Sequence, residues 1–122
     1  MKNYTDLEQS KKLAEILPIE SADMRFCFSH TLGGRITGHY PMIGREPSLG
    51  TIPCWSLAAL LSVTRNYCTR FELTLRSNKK YNLFAMTDNY VYRGFNEYPD
   101  GIDEPIDVCV ALIEKLHELK TL

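Results

Sequence analysis

Residues 52–63, IPCWSLAALLSV, form an almost unbroken apolar run in the middle of the chain. The run is too short to cross a membrane as a helix, which takes about 20 apolar residues. Pro53 suits the first turn of a helix, where its missing N–H is not needed. We therefore predict a helix over residues 53–63. Because this helix would be apolar nearly all round, we expect it to be buried on most sides at the centre of the domain.

Four side chains of this helix test that prediction. Leu57, Leu60 and Leu61 should be largely buried. Trp55, the only tryptophan, should either find a hydrogen-bond partner for its indole N–H or lie at the margin of the core. If one face of the helix is exposed instead, that face is the best candidate for an interface with a partner.

Two further helices are predicted, one near each end of the chain. The first begins at Thr5 as N-cap, with Glu8 completing a capping box, and ends before Pro18. The last covers residues 104–120, with Asp103 as N-cap. Each carries apolar side chains at helical spacing, so each should bury one face.

Alternating apolar and polar residues predict the strands. The predicted strands cover residues 24–30, 70–77, 81–87 and 90–95. The last three are separated by short turns and should form an antiparallel meander. Residues 31–51 contain five of the seven glycines and are predicted to be a Gly/Pro-rich loop, within which residues 35–40 could form a short returning strand.

These elements together predict an α+β fold. We expect three helices and a largely antiparallel sheet of four to five strands, in the order α-β-(β)-α-β-β-β-α. A length of 122 residues is close to the commonest domain size, so we expect residues 1–122 to form a single domain.

Charge and cysteine content limit the classes of function. The net charge of −1 gives no global attraction to nucleic acid or to a membrane. The four cysteines, Cys27, Cys54, Cys68 and Cys109, include no C-x-x-C pair and stand at no metal-ligand spacing from a histidine. The N-terminal residues lack the apolar core of a secretory signal. We expect free thiols in the cytoplasm, no metal site, no cofactor and no membrane association.

One cysteine raises the question of catalysis. In the first turn of the predicted helix, Cys54 would have its thiolate favoured by the helix dipole, and His30 or His39 could serve as its base. No spacing in the sequence brings either histidine to it, and no nucleophile-elbow motif is present. We therefore predict that Cys54 is structural, that the chain has no catalytic residue and that it is not an enzyme.

A local basic patch is the second candidate site. It consists of Arg65, Arg70, Arg76, Lys79 and Lys80, with Glu72 as the one acidic residue between positions 65 and 80. Aromatic residues interleave with it or follow on the next strands: Tyr67, Phe71, Tyr81, Tyr90 and Tyr92. Basic and aromatic side chains on a sheet can bind single-stranded nucleic acid. Phe71, however, shares the apolar face of its strand and is predicted to be core.

Three segments carry a resemblance to a known family. Residues 4–24, residues 52–61 and the P-x-D-x-C…KLHEL ending at residues 105–119 resemble a family of small uncharacterised proteins from phage-derived and mobile elements of gut anaerobic bacteria. The resemblance covers about half the chain, mostly its helices. It implies a bacterial, cytoplasmic setting and implies no activity or catalytic residue.

The sequence leaves two hypotheses of function. The first is a non-enzymatic interaction module that binds an unknown protein partner or forms a homodimer. The alternative is a nucleic-acid-binding accessory protein that uses the basic hairpin at residues 65–80.

Overall fold

The computed structural model describes residues 2–30, 36–43, 51–94, 98 and 100–119. Within these residues the chain forms three α-helices, a short 3₁₀ helix and six strands. The helices are α1 (Leu7–Ile16), α2 (Leu57–Tyr67) and α3 (Pro105–Glu118), and the 3₁₀ helix is Ile19–Ser21. The strands are β1 (Met24–His30), β2 (Ile36–Ile43), β3 (Ile52–Cys54), β4 (Arg70–Leu75), β5 (Tyr81–Met86) and β6 (Val91–Arg93). The predicted α+β class is confirmed.

The strands form two antiparallel sheets rather than the single sheet of four to five strands that we predicted. In the first sheet the order is β2-β1-β3, and in the second it is β4-β5-β6. The second sheet is the predicted meander. The returning strand considered for residues 35–40 is present as β2, which pairs with β1 along its length. The rest of the predicted 31–51 loop, at residues 31–35 and 44–50, lies outside the described residues.

The helix predicted over residues 53–63 begins too early, because its first residues belong to β3. Ile52, Pro53 and Cys54 pair with Phe26, Arg25 and Met24 of β1. Proline lacks a backbone donor and is confined to edge strands, and β3 is an edge of its sheet. Helix α2 begins after Ser56, whose side chain accepts a hydrogen bond from the amide of Ala59 (3.2 Å).

The burial predicted for this helix is confirmed only in part. Leu60 is fully buried, and Leu57 is half-buried against the core. Leu61 is 37 % exposed, so its predicted burial is wrong. Trp55 lies before the helix, is fully buried, and donates its indole N–H to Ser21 Oγ (3.0 Å), which confirms the expected partner.

Helix α3 takes the central position that we predicted for residues 53–63. Its Ile106, Cys109 and Ile113 pack with α1, Trp55 and α2 in one apolar cluster. Its Val108 and Leu112 belong to a second cluster, in which α3 packs on the inner face of the second sheet. Helix α2 contributes to the first cluster alone. The second sheet therefore has α3 over one face.

The predicted caps of α1 and α3 are each displaced by one residue. Asp6, not Thr5, caps α1, in a reciprocal pair of hydrogen bonds with Gln9 rather than with Glu8. Glu104, not Asp103, is the N-cap residue of α3, which ends at Glu118.

Thr5 is not available as a cap because it joins the N-terminal segment to the β3–α2 junction. Its amide donates to the carbonyl of Trp55 (2.9 Å), and its Oγ1 accepts from the amide of Trp55 (3.1 Å). The same hydroxyl lies 2.7 Å from Ser10 Oγ, and Thr5 is fully buried. Since buried polar groups are costly unless paired, this position demands a hydroxyl.

Candidate functional site

The second sheet has an outer face, opposite the face that packs on α3. Along each strand, side chains alternate between the two faces. Phe71, Leu73, Leu83, Ala85 and Tyr92 pack into the inner cluster. The alternation and the register assign the remaining side chains to the outer face, which we define as Arg70, Glu72, Thr74, Asn82, Phe84, Met86, Val91 and Arg93. This face therefore combines charged, polar and apolar side chains without a covering helix among the described residues.

Phe84 lies at the centre of the outer face, on the middle strand β5, and is half-buried. The guanidinium carbon of Arg70, from β4, is 5.3 Å from the centroid of its ring. The guanidinium carbon of Arg93, from β6, is 5.4 Å from the same centroid. Each contact is a cation–π interaction, worth about 0.5–1 kcal/mol at an exposed site. One aromatic ring thus holds two cations from the two neighbouring strands.

The two arginines differ in their other contacts. Arg70 forms an ion pair with Glu72 (2.9 Å), but the two side chains are 60 % and 52 % exposed, so water screens the attraction. Arg93 is exposed, and no carboxylate of the described residues lies within 4 Å of it. The outer face therefore keeps a net positive charge beside an aromatic ring.

The basic patch predicted from the sequence is not one surface. Arg70 lies on the outer face, whereas Arg65 is an exposed residue of α2. Arg76 follows the end of β4, and Lys79 and Lys80 form the β4–β5 turn, where Lys79 has a φ of 64°.

An acidic loop lies beside this turn. The side-chain amide of Asn78 donates to the carbonyl of Asp100 (3.0 Å), which brings the Asp100 segment to the tip of the hairpin. Because Asp100 and Asp103 follow on that loop, the lysines of the turn face nearby negative charge. The acidic loop therefore partly offsets the positive charge of the turn.

The aromatic residues singled out in the sequence mostly lie elsewhere. Phe71, Tyr81 and Tyr92 pack against the inner cluster, as we predicted for Phe71. Tyr67 is an exposed residue at the end of α2, and Tyr90 lies in the β5–β6 turn. None of these five is on the outer face.

Sequence reasoning missed both Phe84 and Arg93. In YNLFAM, Tyr81, Leu83 and Ala85 make the apolar alternation, so Phe84 is a large aromatic on the polar side of its strand. That break in alternation was the available signal, because an aromatic residue on a solvent-facing strand surface is informative. The approach of Arg93 to Phe84 follows only from the β5–β6 register, which pairs the two residues directly.

The structure removes the basis of the Cys54 hypothesis. Cys54 lies on β3, outside helix α2, and is fully buried. Its Sγ lies 3.5 Å from the carbonyl oxygen of Thr5, and burial raises its pKa above the ordinary value. A thiol without an exposed thiolate is a poor nucleophile. The side chains of His30 and His39 lie outside the described part of the chain.

Two of the other thiols, Cys68 and Cys109, are also made less reactive by burial. All four cysteines are free. Burial raises the pKa of Cys68, and it raises the pKa of Cys109 to about 12. Among the described residues no group of three or more His, Cys, Asp and Glu side chains is placed to hold a metal ion.

Two shallow grooves lie away from the outer face. One, of about 380 Å³, runs between α1 and the start of α3, where Lys2 Nζ bridges Asp6 (3.3 Å) and Asp107 (2.9 Å). The ion pairs of Lys2 tie the N-terminal segment to α3, and the groove keeps an excess of acidic side chains, with Asp6, Glu8, Asp107 and Glu114 against Lys2 and Lys12. The other, of about 340 Å³, lies beside the small side chains of α2, Ala58 and Ser62 among them.

No family model, curated protein or solved structure matches this chain in sequence or fold. In the part of the chain that the structure describes, no helix has the length and apolar character needed to cross a membrane.

Proposed function

We propose that this chain is a non-enzymatic interaction module whose binding surface is the outer face of the second sheet. The partner carries negative charge next to flat or apolar groups. The observation that carries this proposal is the cluster of Arg70, Phe84 and Arg93, in which two guanidinium groups approach one ring at 5.3 and 5.4 Å.

The distribution of charge supports an anionic partner. The outer face carries Arg70 and Arg93 against Glu72, a net charge of +1, although the whole chain has a net charge of −1. Residues 100–107 contain four acidic side chains and no basic one. A surface with one sign of charge attracts a ligand of the opposite sign, even when the whole protein is near neutrality.

Apolar side chains on the same face indicate a partner that also has an apolar or flat surface, and so is larger than a small anion. Val91 is 55 % exposed, and Phe84 and Met86 are half-buried. A sheet face that contacted only water would carry polar side chains at these positions. A partner that covered them would gain from removing apolar surface from water.

The non-enzymatic part of the proposal is supported by the state of the thiols. Burial raises the pKa of Cys54, Cys68 and Cys109, so three of the four thiols in the sequence are held in their less reactive form. We also propose that the protein is cytoplasmic, because free thiols persist in a reducing compartment. An origin in phage-derived or mobile elements remains part of the proposal through the resemblance of its helical segments.

The test is a titration of ¹⁵N-labelled protein, followed by amide chemical shifts. The probes are tripolyphosphate, a poly-glutamate peptide and a single-stranded oligothymidine, each at low salt. We expect at least one probe to shift the amides of β4, β5 and β6, and Arg93→Gln to abolish that shift.

Arg65→Gln is the matched control, because Arg65 is an equally basic, exposed residue on α2. It should bind as the wild type does. The proposal is overturned if no probe shifts the amides of the second sheet, or if the two glutamine variants behave alike.

A further inference from the structure

We infer that the partner on the outer face is single-stranded nucleic acid. This inference rests on the proposed function and names the class of ligand for the same surface. It follows from the combination of two arginines with the aromatic ring of Phe84, not from positive charge alone.

A ligand that matches this face must satisfy two kinds of group within a short distance. Arg70 and Arg93 offer planar guanidinium groups, which suit phosphate and can also stack on flat rings. Phe84 offers an aromatic ring on the central strand, between them. Unpaired nucleotides carry a phosphate and an exposed π-face in every repeat, and proteins bind them with this combination of side chains.

The row next to Phe84 extends the same match. In the register of the sheet, Arg70, Met86 and Val91 lie side by side, and the neighbouring row consists of Glu72, Phe84 and Arg93. Residues two apart on a strand are about 7 Å apart, so the two rows lie within reach of adjacent bases. One base can stack against the cluster of Phe84 and its two guanidinium groups while its neighbour covers Met86 and Val91. The site thus accommodates about two nucleotides in direct contact, by the same spacing.

The two competing ligands fit less well. An acidic peptide satisfies Arg70 and Arg93 through carboxylates but brings no flat ring to Phe84. Double-stranded nucleic acid offers phosphates, but its bases are stacked inside the duplex and cannot reach a side chain on a sheet face. The outer face therefore favours unpaired strands over both.

The experiment is fluorescence anisotropy with labelled ten-nucleotide single strands of DNA and RNA, a DNA duplex and a poly-glutamate peptide. Two phosphate contacts, one from each arginine, predict a slope of about −1.4 for log K against log[salt] with single strands. Arg93→Gln should reduce the slope to about −0.7. Phe84→Leu keeps the apolar bulk but removes the stacking surface, and should weaken binding roughly 5- to 150-fold.

Arg65→Gln is again the control, and the thermal midpoint of every variant confirms that it is folded. Tight binding of the duplex, or unchanged binding by folded Phe84→Leu, overturns the inference. If the peptide binds the outer face and the single strands do not, the inference fails while the proposed function stands. If none of the four probes binds, both fail.

Discussion

Leu60 and Leu61 are adjacent on α2, yet the structure gives them opposite environments. Leu60 is fully buried, in a cluster with Leu13 of α1 and Ile113 of α3. Leu61 is 37 % exposed. Substitution of either leucine by alanine removes the same atoms. A difference in stability between the two variants therefore shows which face of α2 is buried.

Leu60→Ala should lower the free energy of unfolding by about 2–5 kcal/mol, the range for a fully buried leucine that leaves a cavity. A loss of 3 kcal/mol corresponds to a fall of about 10 °C in Tm for a chain of this size. Leu61→Ala should cost less than about 1 kcal/mol, because its side chain already contacts water and leaves no closed cavity.

Urea unfolding provides the measurement, with the fluorescence of the buried Trp55 and far-UV circular dichroism as two probes. The slope of free energy against urea should be the same in both variants, so that the difference lies in stability alone. Equal destabilisation by the two substitutions, or a larger loss for Leu61→Ala, would refute the assignment of the buried face of α2.

Two further predictions concern buried polar and thiol groups. Thr5→Val removes the hydroxyl that Trp55 N and Ser10 use, and should cost about 1–3 kcal/mol in urea unfolding; stability equal to that of the wild type would contradict the role of the hydroxyl. Cys109 has a folded pKa of about 12 against an ordinary 9.0, so the stability that its neutral thiol contributes is present below pH 9 and is lost as the pH rises toward 12. The free energy of unfolding should therefore fall more steeply above pH 9 in the wild type than in Cys109→Ala, and parallel curves would show that burial of this thiol is incomplete.

Patterns of local periodicity predicted the elements that bury one face. Helix α3 begins and ends within two residues of its predicted bounds, and the meander β4–β5–β6 was predicted from alternation and short turns. Each of these elements buries one stripe of apolar side chains, so the spacing of apolar residues along the sequence is enough to predict whether it is a helix or a strand.

The division of IPCWSLAALLSV into a strand and a helix could not be predicted in this way. Every residue of the run from Ile52 to Trp55 is apolar, so neither period stands out. Pro53 fits the first turn of a helix as well as an edge strand. The deciding interaction is the pairing of β3 with β1, between residues about 28 positions apart in sequence, and no local pattern encodes it.

The candidate site was predicted in part for a similar reason. Arg70 was identified because charge is visible in the sequence, but its partners were not. The approach of Arg70 and Arg93 to Phe84 depends on the register of three strands, which sets which side chains are neighbours across the sheet. Arg65 and Lys79 were grouped with Arg70 by proximity in sequence, although one lies on a helix and the other at a turn.

The division of the apolar run also changes where an interface is expected. As one long helix, residues 53–63 would have had apolar surface to spare for a partner. In the structure, Trp55 is fully buried in the core, and Leu61 is the exposed leucine of α2. A single exposed leucine needs no partner to explain it. The apolar surface that α3 leaves uncovered lies instead on the second sheet, at Phe84, Met86 and Val91, and there it is combined with two arginines.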